Sequence, residues 1–271
     1  MGADGPALSN IMMRKQKILL VIALAVVVAF VLGGFAWMKQ RQERLDGEIQ
    51  AAAALGEFER VLQLLKEGAD PAGDDHDPVL WGRPNDPKPP VWHAVSNDER
   101  EVVRALVAAG LDLGQDGLGE RLLLEAMKRS HLEMYALLLE LGADPNGVIP
   151  NHLNCYNTLH WAVQQARGEP AYEPTLEMRA AQFARLALDA GADPNHRGGW
   201  HGYTPLLFAL QCEKGQLAEM YLKAGADITI RDDSGKNAMD TAAFLENPKL
   251  IRLIEKHGGK RTLQKGAVKD E

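Results

Sequence analysis

The sequence predicts an all-α protein: one transmembrane helix followed by a solenoid of about six helix-turn-helix units. Three observations carry that prediction. The phrase Gly-Ala-Asp-Pro-Asn occurs at Gly142 to Asn146 and again at Gly191 to Asn195, with looser echoes at Gly68-Ala69-Asp70-Pro71 and Gly225-Ala226-Asp227-Ile228. Each copy closes an apolar helical run, as at Leu64-Leu65 and Leu138-Leu139. Ahead of these runs, the 21 residues from Ile18 to Met38 contain no charge.

The apolar run comes first in the chain. As a helix it extends roughly 31 Å, the thickness of a bilayer core. A signal peptide is the competing reading: Arg14, Lys15 and Lys17 supply a basic start and Gly34-Phe35-Ala36 a cleavage site. Signal peptides have shorter apolar cores, however, and Trp37 followed by Lys39 and Arg41 has the character of an interfacial anchor. The expected organisation is a basic tail over 1–17, an uncleaved membrane helix over 18–38, a juxtamembrane linker over 39–47, the helical array over 48–260 and a flexible tail over 261–271.

Orientation is balanced by residue count, because Arg14, Lys15 and Lys17 precede the span and Lys39, Arg41 and Arg44 follow it. A short basic tail is the part most easily retained in the cytoplasm, which places the array outside it. Within the span, Ala25, Ala29 and Gly33 recur every four residues. Such a stripe suits packing into a dimer, and the ordinary abundance of alanine in membrane helices explains it equally well.

The array is registered by the glycine after each apolar helix: Gly68, Gly110, Gly142, Gly191, Gly225 and Gly258, at intervals of 42, 32, 49, 34 and 33 residues. Glycine there accepts the left-handed backbone that ends a helix, and the following aspartate and proline favour a turn. Each unit also needs a first helix. Thr204-Pro205-Leu206 and Thr158-Leu159-His160-Trp161-Ala162 announce it, with threonine as cap and proline at the first helical position. Unit one lacks threonine and proline, and unit three carries Arg121-Leu122 in their place.

First helices are rich in small residues (Ala52, Ala53, Ala94, Ala126, Ala162, Ala209), whereas second helices supply apolar bulk (Val61, Leu64, Leu65; Val102, Val103, Leu106; Leu137, Leu138, Leu139; Leu217, Met220, Leu222). One unit cannot bury that face, but a stack buries it continuously. The long intervals mark insertions: residues 72–90 between units one and two, and Arg167 to Thr175 inside unit four, with a few more before Tyr156.

These residues resemble the ankyrin repeat family, whose units begin T-P-L-H-x-A and end G-A-D. The motifs that carry the resemblance are Thr204-Pro205-Leu206 with Ala209, Leu159-His160-Trp161-Ala162, Gly235-Lys236-Asn237-Ala238-Met239-Asp240 and the repeated endings, over roughly residues 45 to 260. The resemblance implies a protein-binding module working through loop tips and a concave face, with His160 as a structural hydrogen-bonding residue. Short, alanine-rich bacterial members are the nearest in character. That likeness implies an inner-membrane protein that masks one partner, such as an immunity protein neutralising a toxin or effector enzyme, or else a general membrane scaffold.

Charge and motifs narrow the alternatives. The chain has 30 basic and 37 acidic residues for a net charge of −7, a surface that repels nucleic acid backbones. Two cysteines, Cys155 and Cys212, are too few for a disulfide framework. His76 among Asp74, Asp75 and Asp77 lacks the alternating spacing of a Ca²⁺ loop. No Gly-x-Ser-x-Gly or phosphate loop occurs, so no catalytic residue, metal or cofactor is expected.

The candidate partner-binding residues are aromatic and polar groups on loops and the concave side. Trp200 and His201 sit at the loop ahead of Tyr203-Thr204-Pro205, where a tryptophan either meets a partner or packs on a neighbouring loop. Trp161, and Phe208 one unit on, either line the concave face with Lys128, Arg129, Gln164 and Gln165 or fill the space between helices. Trp81 and Tyr156, both in inserted loops, complete the set.

Overall fold

A computed structural model describes residues 5–73, 88–148, 155–167, 174–199 and 201–260, with side chains from residue 24 onward. Trp81, Trp200, the His76 acidic loop and the 261–271 tail lie outside the described residues. Twelve α-helices occur among them, and they pair into six units. The first helices are the end of α1 (Gly5–Leu55), α3 (Pro90–Ser96), α5 (Leu118–Arg129), α7 (Thr158–Ala166), α9 (Pro205–Gln211) and α11 (Ala238–Phe244). The second helices are α2 (Phe58–Glu67), α4 (Arg100–Ala108), α6 (Leu132–Glu140), α8 (Pro174–Asp189), α10 (Gly215–Lys223) and α12 (Pro248–Lys256).

First helices pack on first helices from α1 through α11, and each second helix packs on its own partner. The resulting core is one continuous cluster from Leu45 to Ile254. Val61, Leu64, Val102, Val103, Leu106, Leu137, Leu138, Leu217 and Leu222 are buried in it, and Leu65, Leu139 and Met220 are half-buried. Tyr221 ties neighbouring units together from inside: its hydroxyl donates to the Leu159 carbonyl at 2.9 Å.

The recurrent G-A-D phrase has a three-part physical cause. The six closing glycines all have φ between 91° and 112°, the left-handed region that side chains avoid. The aspartate then folds its own loop: Asp144 Oδ1 accepts the Asn146 N–H, and Asp193 Oδ1 the Asn195 N–H, both at 2.8 Å. Finally the asparagine reaches the next unit. Asn146 donates to the Gly191 carbonyl at 2.9 Å and accepts the Asp193 N–H at 2.6 Å, and Asn195 makes the same pair of bonds to Gly225 and Asp227. The two Gly-Ala-Asp-Pro-Asn phrases therefore each end one unit and staple it to the next.

Three local features differ from the sequence reading. Residues 39–47, expected as a linker, lie within α1, and Leu45 is buried against the first unit. Asp46 and Gly47 do not break the helix, and the Asp46 side chain accepts the Asp70 N–H across the turn instead of capping its own chain. In unit four the cap is Asn157, not Thr158: its side chain accepts the His160 N–H, while the Thr158 hydroxyl donates to the Pro145 carbonyl at 2.8 Å. In unit three α5 starts at Leu118, before Arg121-Leu122, behind Gly117 with φ 73°.

Unit six has the most complete start. Asn237 accepts the Asp240 N–H and Asp240 accepts the Asn237 N–H, a reciprocal box. Replacing Asn237→Ala should cost about 1 kcal/mol and lower the melting temperature by about 2 to 4 °C for an array of this size, measurable by circular dichroism.

Candidate functional site

The densest polar and aromatic constellation lies where unit four meets unit five. Asn157 fixes the start of α7 and orients His160 three residues on. Asn157 Nδ2 donates to the Asp193 carbonyl at 3.1 Å, so its Oδ1 faces the His160 N–H at 3.3 Å and the ring Nδ1 at 2.7 Å. The other ring nitrogen, Nε2, faces the Tyr203 carbonyl at 2.9 Å. Both partners are carbonyl oxygens that can only accept, so the neutral ring donates to one of them and leaves the other contact without a proton. Protonating both nitrogens would make both bonds but bury a charge. Burial prevails and holds the imidazole down at about 4.

Aromatic rings close over this histidine. Tyr156 stacks on it at 4.9 Å with the planes 4° apart, and meets Trp161 edge-on at 5.5 Å. Phe208 lies 5.3 Å from Tyr156 and 6.2 Å from Tyr203, with the Arg167 guanidinium 5.8 Å above its ring. Such offset and edge-on pairs match the ring quadrupoles. Partial burial raises the Tyr156, Tyr203 and Cys212 acidities' midpoints, with Arg167 opposing the effect at Tyr156 and Cys212.

A loop folds against the cluster. Gly198 donates to the Tyr203 carbonyl at 2.8 Å, pairing the two ends of a tight hairpin. A side chain at Gly198 would stand 2.6 Å from the Cys155 carbonyl, and one at Gly199 would stand 2.8 Å from the Tyr156 ring. The glycines let the loop sit on Tyr156, and Arg197 pins it to Asp233 at 2.9 Å.

The candidate residues separate by position. Tyr156 and Trp161 come together, both half-buried and both packed on the core, which gives each a structural share. Gln164 is exposed and Gln165 half-buried on the same helix as Trp161. Lys128 and Arg129 are exposed at the end of α5, where Arg129 pairs with Glu125 at 2.9 Å and Glu125 in turn accepts from Ser96 of unit two at 3.0 Å. His201 is exposed at the loop, 5.3 Å from Tyr203. Phe208 is buried and acts as filler.

The sequence reading passed over Arg167, Tyr203 and His196. Arg167 had no motif to flag it. Tyr203 and His196 are visible in retrospect from their distance to the T-P-L start, because the loop that carries them must fold back onto the preceding unit. Both cysteines are free, Cys155 exposed and Cys212 half-buried. Among the described residues no group of three or more His, Cys, Asp or Glu side chains is arranged to hold a metal.

Comparison with known proteins agrees with this architecture. A family model for ankyrin repeats in three copies matches residues 49–149, and a single-repeat model matches residues 201–233. A candidate palmitoyltransferase of Danio rerio, ZDHHC13, is 25% identical over 230 residues, 76% of this chain and 34% of that protein. An ankyrin repeat-containing protein of Treponema pallidum is 29% identical over 160 residues, 57% of this chain and 47% of that protein. The rat ankyrin repeat and SAM domain-containing protein 6 is 29% identical over 109 residues, 39% of this chain and 11% of that protein. This chain therefore spans less than half the length of the relatives it matches. Both matched stretches are ankyrin repeats, and the unit between them has the same helix pair and glycine exit as its neighbours.

Proposed function

We propose that this protein is a membrane-anchored binding module that captures one partner protein and masks or tethers it, in the manner of an immunity protein neutralising a toxin or effector. Ankyrin repeats make protein-binding surfaces, and that part follows from the family. The observation that supports the anchor is the apolar stretch of α1, whose described side chains from residue 24 to residue 38 are all exposed. Phe30 is 83% exposed, Trp37 65% and Phe35 62%, and the helix is long and apolar enough to cross a bilayer. Aromatic and leucine side chains left in water at that density need a lipid or protein cover. The basic tail before residue 18 supports a cytoplasmic N-terminus with the array on the other side.

The gripping surface in this reading is Trp161 with Gln164, Gln165, Lys128 and Arg129, flanked by His201. Aromatic and arginine anchors carry most of the energy of such interfaces. Confinement to one membrane raises the local concentration of the module near partners held there.

Capture from native membranes by the full chain in nanodiscs tests the proposal. Trp161→Ala should weaken capture about 30-fold, the effect of a lost anchor worth about 2 kcal/mol, with melting monitored to separate binding from folding. A single tight one-to-one complex supports masking. Several weak partners would instead indicate a scaffold, and equal recovery by the variant would remove this surface from consideration.

A further inference from the structure

We infer that the back of unit six is a second docking surface, a basic row on α12 that takes an acidic segment of a partner protein. The row lies on a second helix, apart from the first-helix surface around Trp161, and stands whether or not that surface grips anything.

Helical spacing builds the row. α12 turns Leu250, Ile251 and Ile254 into the core, which leaves Lys249, Arg252 and Lys256 on its outer side, all exposed. Residues three and four apart share a helix face, so the three cations form one line about 10 Å long. Among the described residues none of them pairs with a carboxylate. Lys223 bonds Glu219 of unit five at 2.9 Å, and Lys256 exerts only a weaker pull on that carboxylate.

Counting back from each exit glycine shows that the row is peculiar to unit six. The same places, nine, six and two residues before the glycine, hold Glu59, Leu62 and Lys66 in unit one and Gln216, Glu219 and Lys223 in unit five. Charges at these places cancel in units one, two, four and five, and unit three has two negative ones, Glu133 and Glu140. Unit six has three positive ones. The array elsewhere keeps its back in water with balanced or acidic side chains, so solubility does not call for a basic row.

The row also works against its own helix. The first turns of α2, α4 and α6 carry Glu59, Glu101 and Glu133 at the place of Lys249. A negative side chain there meets the positive end of the helix dipole, and a lysine opposes it. Arg252 and Lys256 are like charges one turn apart, a destabilising spacing. Charges that weaken the helix they stand on point to something outside it.

Charge sets the class of that occupant. Residues 249–271 hold seven basic and three acidic side chains, while the rest of the chain holds 23 and 34. A nucleic acid duplex or an anionic bilayer is a long array of charge and would bring the acidic remainder of the molecule within range along with the row. A short acidic protein segment meets the row alone, because charges farther off than about 8 Å are screened at physiological salt. Arg252, at the middle, offers the planar fork that binds a carboxylate through two parallel bonds, and a lysine on each side serves a flanking carboxylate.

The test uses the full chain in phosphatidylcholine nanodiscs, with fluorescein-labelled octaglutamate as the probe and anisotropy at low salt as the readout. The combined variant Lys249→Gln, Arg252→Gln and Lys256→Gln should weaken binding about tenfold, the sum of three exposed ion pairs of ordinary strength, while its melting temperature stays level or rises. Trp161→Ala should bind octaglutamate as the unsubstituted chain does, which separates this surface from the one in the proposed function. Carbodiimide coupling should join bound peptide to Lys249 and Lys256 ahead of Lys66, an exposed lysine in the equivalent row of unit one. Equal binding by the combined variant would overturn the inference, and so would a lowered melting temperature, which would show that the row serves the fold. Displacement of octaglutamate by phosphatidylserine vesicles or duplex DNA at lower charge concentration would overturn the protein occupant in favour of a polyanion. Concentration-dependent self-association that the combined variant loses would overturn it in favour of a second copy of this chain.

Discussion

Leu138→Asp should unfold the middle of the array. Leu138 is 0% exposed, on the face of α6 that joins the core, beside the buried Met134, Tyr135 and Leu137. The substitution removes the burial of a leucine, worth about 1.5 to 3 kcal/mol, and places a carboxylate among apolar groups with no cation to pair with. An uncompensated buried charge costs about 3 to 5 kcal/mol more, so the sum approaches the whole stability of an ordinary domain. Repeat arrays respond locally, because each unit contacts only its neighbours. Hydrogen exchange should therefore lose protection across α5 to α8 first, with the thermal transition lowered or split. Leu138→Met, close in volume, should cost less than about 1.5 kcal/mol. An unchanged melting curve for Leu138→Asp would show that this face of α6 is not core.

That prediction was readable from sequence, because the leucine run before Gly142 fixes the buried face by helical spacing and the glycine fixes the register. Information confined to one unit was legible in the same way: the positive-φ glycines, the aspartate loops, and Thr204 capping α9 with Pro205 behind it. The asparagine of the repeated phrase was legible only as a letter. Its purpose, clamping a turn 45 to 47 residues ahead for Asn146 and 30 to 32 ahead for Asn195, depends on how units stack.

Residues 39–47 show the limit most clearly. Their mixed charges, Lys39 to Glu43 and Arg44 to Glu48, suited a solvated linker, and the same pairs sit one helical turn apart in α1. What decides the matter is the bonding of Gln42 and Asp46 to a turn more than twenty residues later, invisible to local propensity. The candidate site suffers the same way. Tyr156 stood in an insertion as a candidate loop aromatic, and its packing with His160, Trp161 and Phe208 beneath the returning Gly198 loop makes it half-buried. Aromatic residues advertise burial or binding equally, and the fold chooses.

The second large effect is acid sensitivity at the junction of units four and five. His160 is 0% exposed, and its imidazole is held at about 4 against an ordinary value of 6.5. The groups around it are Tyr156, Asn157, Tyr203 and Phe208, with the His196 ring 5.8 Å away and Arg167 above Phe208. No carboxylate among these contacts favours the cation. In the unfolded chain the imidazole takes up its proton near pH 6.5; in the folded chain it does so only near pH 4. The unfolded state thus binds more protons between those limits, and stability rises with pH across that window. The neutral histidine contributes fully above pH 6.5, and its contribution is lost progressively as pH falls toward 4. A shift of this size corresponds to roughly 3 kcal/mol. Denaturant melts at pH 7.0, 5.5 and 4.5 should show that slope, and His160→Gln should flatten it while lowering stability at pH 7.0, because the ring's bond to its carbonyl acceptor is weakened. Nuclear magnetic resonance titration gives the direct reading: a His160 midpoint at or above 6.5 would mean that the bonds to Asn157 and Tyr203 outweigh burial, and would reverse the sign of the pH dependence.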